Sequence, residues 1–342
     1  MSNPVLIQDE QHQRLEVKLR RELGDQVLRL LDDDLTEDIL LNPDSSLWAK
    51  RMGHGFSRIG EMPAAQAASA LGTIAAWRGT VLNHEHPILE TELPIDGSRF
   101  EGIVSPVVRQ PVFAIRLRPR KIFSLDDYES DGILTDGTDP LNQLRRRDDF
   151  LDGVRGLKHG DVIRAAVRAR KNILIVGSTG SGKTTLVNAI LDSLARLTPN
   201  DRVISIEDTT ELQCPVENYL DLRAVGGVTM LDCLRACMRL KPTRIVVGEV
   251  RGAEAHTLLK AWNTGHPGGA ATVHANDALS GLIRLESLVA EATNAPQQRL
   301  IAEAVDLVVF VDEESAIKAG RKVREVLLVT GYSDGNYQVE HV

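Results

Sequence analysis

Asn172-Ile173-Leu174-Ile175-Val176-Gly177-Ser178-Thr179-Gly180-Ser181-Gly182-Lys183-Thr184-Thr185-Leu186-Val187-Asn188-Ala189-Ile190-Leu191 decides the fold class of this 342-residue chain. Residues 172–176 are an apolar, β-branched run and read as a buried strand, whereas 185–191 carry a helical pattern. Between them, two glycines stand where the phosphate-binding template needs them, followed by Lys183 and the hydroxyl of Thr184. A glycine loop where a strand feeds a helix points its backbone N–H groups and the positive helix end at phosphates. Gly177, Ser178, Thr179, Gly180, Ser181, Gly182, Lys183, Thr184 and Thr185 are therefore the expected nucleoside triphosphate contacts, Lys183 reaching the outer phosphates and Thr184 ligating Mg2+.

The length exceeds what one hydrophobic core usually serves, so two domains are expected. The N-terminal stretch carries Asp9, Glu10 and Glu16, and no segment approaches the roughly 18 consecutive apolar residues of a membrane span, which points to the cytoplasm. A formal charge of −8 argues against a general nucleic-acid surface. Arg145-Arg146-Arg147 is a local exception, but Asp148-Asp149 follows it, as in a solvated linker. The three cysteines suit a reducing compartment, and Cys233 and Cys237, four apart, suit helix packing better than zinc.

The pattern divides into residues 1–118, an α+β domain; 119–150, a polar linker with an irregular insertion; and 151–342, an α/β domain. Upstream, Leu15, Leu19, Leu23, Val27, Leu30 and Leu31 recur at helical spacing, a second helix is expected over 64–81, and short strands near 38–44, 47–49, 88–93, 100–104 and 112–117 suggest an antiparallel sheet. Downstream, apolar runs at 173–176, 203–206, 245–247, 271–273 and 307–311 alternate with helices, as in a mostly parallel sheet covered by helices.

Open α/β sheets hold ligands at their strand ends. The run ending in Ile206 leads into Glu207-Asp208, and the run ending in Val247 leads into Gly248-Glu249-Val250-Arg251-Gly252. Glu207 and Glu249 are candidates to hold Mg2+ through its waters and to orient or deprotonate an attacking water. Gly248 stands where many such enzymes place a metal-holding Asp, which leaves open a nucleotide binder without turnover. His274 ends a third run and is either a γ-phosphate sensor or a packed residue, and His266 is open in the same way.

Together the phosphate loop, the box Ile206-Glu207-Asp208-Thr209-Thr210-Glu211-Leu212, the ending Gly248-Glu249-Val250-Arg251-Gly252 and the histidine box from Gly265-His266 to Thr272-Val273-His274-Ala275-Asn276 resemble the secretion, or traffic, ATPases. Glu92-Leu93-Pro94, the segments 97–102 and 111–116, and Leu259-Lys260-Ala261-Trp262-Asn263-Thr264-Gly265-His266-Pro267-Gly268-Gly269 resemble the conjugative branch of type IV secretion. The likeness covers nearly the whole chain and departs at residues 135–150, which are longer than usual, and at Thr243, where Asp is usual. The resemblance implies a RecA-like P-loop NTPase domain behind a smaller α+β, PAS-like domain, six protomers in a ring, ATP and Mg2+ as cofactors, and inner-membrane partners with peripheral membrane association. Direct nucleic-acid binding is not expected. It further implies that Glu249 activates water, Glu207 assists the metal and His274 reads the γ-phosphate. Arg99 and Arg116, more than Arg109, are implied to close over the γ-phosphate, against the alternative of surface charges on strands. Two other readings stay open: a pilus-retraction or type II secretion motor, disfavoured because three cysteines cannot make that branch's four-cysteine zinc element, and a nucleotide-regulated scaffold.

Overall fold

The computed structural model describes residues 4–119, 123–134 and 143–342 and divides into two compact units, residues 1–148 and 149–342. The first unit begins with α1 (Pro4–Asp32), followed by β1 (Thr36–Leu41), β2 (Ser46–Arg51), β3 (Phe56–Glu61), α2 (Ala64–Trp77), β4 (Ile88–Glu92), β5 (Arg99–Ile103) and β6 (Val112–Arg116). Its strands form one antiparallel sheet in the order β3-β2-β1-β6-β5-β4. Leu19, Leu23, Val27, Leu30 and Leu31 form the buried stripe of α1 and pack with Ala67, Leu71 and Ile74 of α2 onto Ile39, Leu41, Phe113 and Ile115. Alternate residues of a strand share a face, so that side of the sheet is the apolar one. Helical periodicity anticipated both helices, but β3 was missed: its residues are exposed or half-buried and give no apolar alternation.

Two helices, α3 (Leu125–Ser130) and α4 (Gln143–Val154), occupy parts of the segment expected to be an irregular linker. The cause is local in the first and tertiary in the second. Ser124 and Asp127 cap α3 reciprocally, and Leu151 and Val154 of α4 are buried in the core of the second unit. Arg145, Arg146 and Arg147 lie on the helical backbone of α4, and their expected solvated side chains fall outside the described residues, as do residues 135–142 of the expected insertion.

The second unit continues with α5 (His159–Arg168), β7 (Ile173–Val176), α6 (Lys183–Leu197), β8 (Val203–Glu207), β9 (Tyr219–Arg223), α7 (Met230–Arg239), β10 (Arg244–Val247), α8 (Glu254–Asn263), β11 (Ala270–Val273), α9 (Ala278–Ala290), α10 (Gln298–Ala304), β12 (Leu307–Glu313), β13 (Arg321–Ser333) and β14 (Asn336–His341). Sheet order is β14-β13-β12-β7-β11-β10-β8-β9; the six strands from β12 to β9 run parallel, while β13 and β14 are antiparallel additions at one edge. All residues of β7, β8, β10 and β11 are buried, which is why they read as continuous apolar runs. Strand β9, with alternating burial, escaped that reading. Cys233 and Cys237 are buried on α7, and burial pushes the Cys233 thiol up to about 12.

A buried arginine fastens the entrance ends of these strands. The Arg244 side chain is fully buried and donates to Asp201 at 2.6 Å, to the Gly268 carbonyl at 3.1 Å and to the Val167 carbonyl at 3.0 Å. Removing one partner of a buried pair leaves the other charge uncompensated. Asp201→Ala is therefore expected to destabilise the second unit by about 3–5 kcal/mol, read as a fall in its thermal unfolding midpoint, with the nucleotide loop at the opposite strand ends unchanged in the native state.

Candidate nucleotide site

Strand β7 ends in the glycine loop and α6 begins at Lys183, as the sequence required. Gly182 caps α6 at φ 96°, a conformation that side chains with a Cβ resist. At Gly177 a Cβ would run into the Val311 carbonyl and the Ser181 side chain. The loop thus lies tightly against the end of β12.

The parallel order β7-β11-β10-β8 sets the sequence of groups across the site. Lys183 is 7% exposed, and its Nζ donates to the Gly177 carbonyl at 3.0 Å, to the Ser178 carbonyl at 2.8 Å and to His274 Nδ1 at 3.1 Å. Because an ammonium only donates, Nδ1 must accept, and the imidazole proton sits on Nε2. Nε2 then donates to Glu249 Oε1 at 2.9 Å, and Arg251 holds Glu249 Oε2 at 2.8 Å. Arg251 also pairs with Asp208. The result is one hydrogen-bonded chain, Lys183–His274–Glu249–Arg251–Asp208, from the phosphate loop across three further strand ends.

Charge and burial oppose one another along it. Burial pulls the Lys183 ammonium below its usual range, against the attraction of Glu249. Burial alone would raise the Glu249 carboxyl, but the Arg251 hydrogen bond, the neighbouring His274 ring and the charges of Arg251 and Lys183 hold it below the ordinary carboxylate range. Glu207 goes the other way. It is 4% exposed, and burial raises its carboxyl although its Oε1 accepts the backbone N–H groups of Glu211 and Leu212 at 3.0 Å each. Those two bonds fold the chain after β8 back toward α6, where Glu211 accepts the Thr184 hydroxyl at 3.0 Å.

Position 248 is sterically tight. A Cβ there would lie 3.0 Å from Cγ and 3.4 Å from Oε1 of Glu207, so the Glu207 side chain crosses the space that a longer residue at 248 would need. The Gly248 carbonyl accepts the Thr272 hydroxyl at 2.7 Å, tying β10 to β11 beside Glu249.

One cavity of about 410 Å³ is bordered by Thr179, Lys183, Thr184, Glu207, Glu249 and His274. It brings together the candidates from the phosphate loop and the two acidic strand ends. Asp208, Glu211 and Arg251 line it as well. Sequence reading assigned these three no role, although each stands within a quoted box; their signal was adjacency to Glu207 and Glu249, and only the turn after β8 gives Glu211 a partner. His266 donates to or accepts from nothing in this cavity: its Nδ1 bonds the Pro242 carbonyl at 2.8 Å, bracing the approach to β10. Thr243, where Asp is usual, also serves that approach through its hydroxyl, which accepts the Arg202 N–H at 3.1 Å.

In the first unit, Arg99 and Arg116 are directly opposed on β5 and β6, and both are exposed. Their register continues to Glu92 on one side and Asp38 and Lys50 on the other, a row of charges across five strands. Arg109 lies in the loop before β6 and is exposed.

Residues 153–320 match the model of the type II/IV secretion system protein family. The chain is 44% identical over 329 residues to a probable conjugal transfer protein TrbB of Sinorhizobium fredii, covering 96% of this chain and 94% of that one. This chain belongs to the type II/IV secretion system ATPase family. It is also 30% identical to protein VirB11 of Agrobacterium fabrum over 83% of its own length and 86% of that protein. The crystal structure of the Brucella suis VirB11 ATPase superposes with a TM-score of 0.84 at 25% identity, covering 93% of this chain and 96% of that one. The family likeness expected from the boxes, the α/β architecture and the ATPase class all stand on these matches.

Proposed function

We propose that the chain is a Mg2+-dependent ATPase working as a ring of six protomers at the cytoplasmic face of the bacterial inner membrane, where it powers a type IV secretion or conjugative transfer apparatus. The observation that carries the reading is the hydrogen-bonded chain from Lys183 through His274 to Glu249, because it links the phosphate loop to the strand-end acid through the residue placed to sense a γ-phosphate. Identity to conjugal transfer proteins over nearly the full length favours that branch over a pilus-retraction or type II secretion motor. Among the described residues no helix is long and apolar enough to cross a membrane, which suits peripheral attachment through inner-membrane partners.

Gly177 to Thr185 take the phosphates, with Lys183 on the outer pair. The oxygen donors suit Mg2+, a hard cation that takes few protein ligands and keeps several waters: Thr184 and Glu211 stand 3.0 Å apart, with Glu207 and Glu249 lining the same cavity. When bound, the metal would neutralise phosphate charge. Glu249 is positioned to take the proton of the attacking water, and it must exchange its Arg251 hydrogen bond to do so, since that bond depresses its basicity. His274 reads the γ-phosphate by trading the Glu249 contact of its Nε2–H for a phosphate oxygen. Arg99 and Arg116 complete the set: like charges directly opposed on a sheet repel, and a bound phosphoryl group would relieve them.

Glu249→Gln is the direct test. Glu249 accepts two donors and glutamine offers one acceptor oxygen, so the variant keeps the shape and loses the base. ATP binding is expected to survive while phosphate release falls by about 10²-fold. A larger loss in Glu207→Gln with binding preserved would reverse the roles of the two acids. Phosphate release that persists in EDTA would remove the metal from the proposal. Electron microscopy with and without a non-hydrolysable ATP analogue tests the ring of six.

A further inference from the structure

We propose that Arg321, at the start of β13, is a nucleotide-binding residue that addresses the inner phosphates, those shared by ATP and ADP. The inference rests on the nucleotide-site reading above and deepens it. Hairpin β12–β13 reaches the phosphate loop from the side away from Glu249. Its Val311 carbonyl closes on Gly177, the Glu313 carboxylate lies 3.7 Å from where a Cβ would stand at Gly180, and the Arg321 side chain lies over Gly182, with Nη1 and Cδ occupying the space a Cβ would take. Glu313 and Arg321 are register partners across this hairpin.

Arg321 Nη1 donates to Thr185 Oγ1 at 3.0 Å. A guanidinium has five N–H donors and no acceptor, so this bond leaves most of the fork available. Thr185, having accepted, keeps its own hydroxyl proton to donate outward. Arg321 and Thr185 thus present donors beside the first turn of α6, where the positive helix end and the loop N–H groups already favour an anion. The cavity that holds Lys183, Glu207, Glu249 and His274 is bordered by neither Arg321, Gly182 nor Thr185. The two groups therefore flank different ends of the loop. In a phosphate loop the backbone cradles the α- and β-phosphates while the lysine reaches the β- and γ-phosphates. The end marked by Arg321 is the inner one.

A residue that touches only shared phosphates has a distinctive signature. Arg321→Ala in the full-length protein is expected to weaken ATP and ADP by the same factor, about 10- to 100-fold for a charge-assisted hydrogen bond lost to a phosphate. KM for ATP should rise by that factor, and kcat should fall far less. Arg321→Lys keeps the charge without the fork and should lie between, and the loss in Arg321→Ala should shrink when Thr185→Val is already present, since the pair acts together. Lys183→Ala, measured in parallel, separates the two readings. If Lys183→Ala loses nucleotide affinity while Arg321→Ala and Arg321→Lys bind ADP as the wild type does, the Arg321 proposal fails and the site stands. Loss of ATP affinity with ADP unaffected would place Arg321 at the γ-phosphate and overturn the proposal. If neither Lys183→Ala nor Arg321→Ala changes nucleotide affinity, the site reading itself falls.

Discussion

Lys183→Ala is expected to abolish ATP hydrolysis, lowering turnover by at least about 10³-fold, because it removes a preorganised charge from the outer phosphates at a nearly water-free position. That factor corresponds to about 4 kcal/mol of transition-state stabilisation. Lys183 also has a resting role. Its ammonium bridges two carbonyls of its own loop and the His274 ring, so the variant leaves three acceptors to water and frees His274 from its Lys183 contact. The apolar core is untouched, since Val187, Ile190, Leu191 and Leu194 of α6 do the packing. Circular dichroism like that of the wild type with no phosphate release is the expected outcome. Turnover near the wild-type rate in a steady-state assay would sink the assignment of the phosphate loop.

Arg116→Ala carries the second large effect. Phosphoryl transfer spreads negative charge over the transferring oxygens, and an arginine brought to that charge adds about 10³- to 10⁵-fold in rate in related systems. Under the proposal for Arg99 and Arg116, the alanine variant should lose turnover by about 10³-fold with ATP affinity changed far less. Stability should hardly move. Arg116 is exposed at the end of β6, the neighbouring core residues Phe113 and Ile115 face the helices, and truncating one of two directly opposed arginines relieves a repulsion. Arg99→Ala tests whether the pair acts as a unit: a double variant no slower than either single one indicates a shared role. If Arg116→Ala hydrolyses ATP at the wild-type rate, the row of charges on the first unit is surface decoration and the γ-phosphate is met by the second unit's residues alone.

The two families of residues in these predictions differed in how legible they were. The phosphate loop needed nothing beyond the chain order, because strand, glycines, lysine and helix are contiguous and their local geometry is fixed by backbone chemistry. The buried strands were visible for the same reason: burial on both faces leaves an unbroken apolar run. Strands β3, β9, β13 and β14 were not, since edge or half-exposed strands lack that mark. Parts of the segment expected as a linker are helical: Ser124 and Asp127 cap α3, and α4 starts at Gln143 within that segment and runs on to Leu151 and Val154, which find a core that sequence order alone cannot display.

By itself the sequence determined the α/β class of the second unit, the helices α1 and α2, the phosphate loop, and the two acids at strand ends. It also marked His274 as a residue worth watching. Tertiary structure decided what these groups do to one another. Strand β11 inserts between β7 and β10, although β10 precedes it in the chain, and this crossover puts His274 between Lys183 and Glu249, residues 66 positions apart in the sequence. The turn after β8 gives Glu211 the Thr184 hydroxyl, and the edge hairpin lays Arg321 over Gly182. The physical reason is common to all three. Local patterns specify which elements form, but side-chain hydrogen bonds reach only about 3 Å, so which residues become partners is settled by the order in which strands dock.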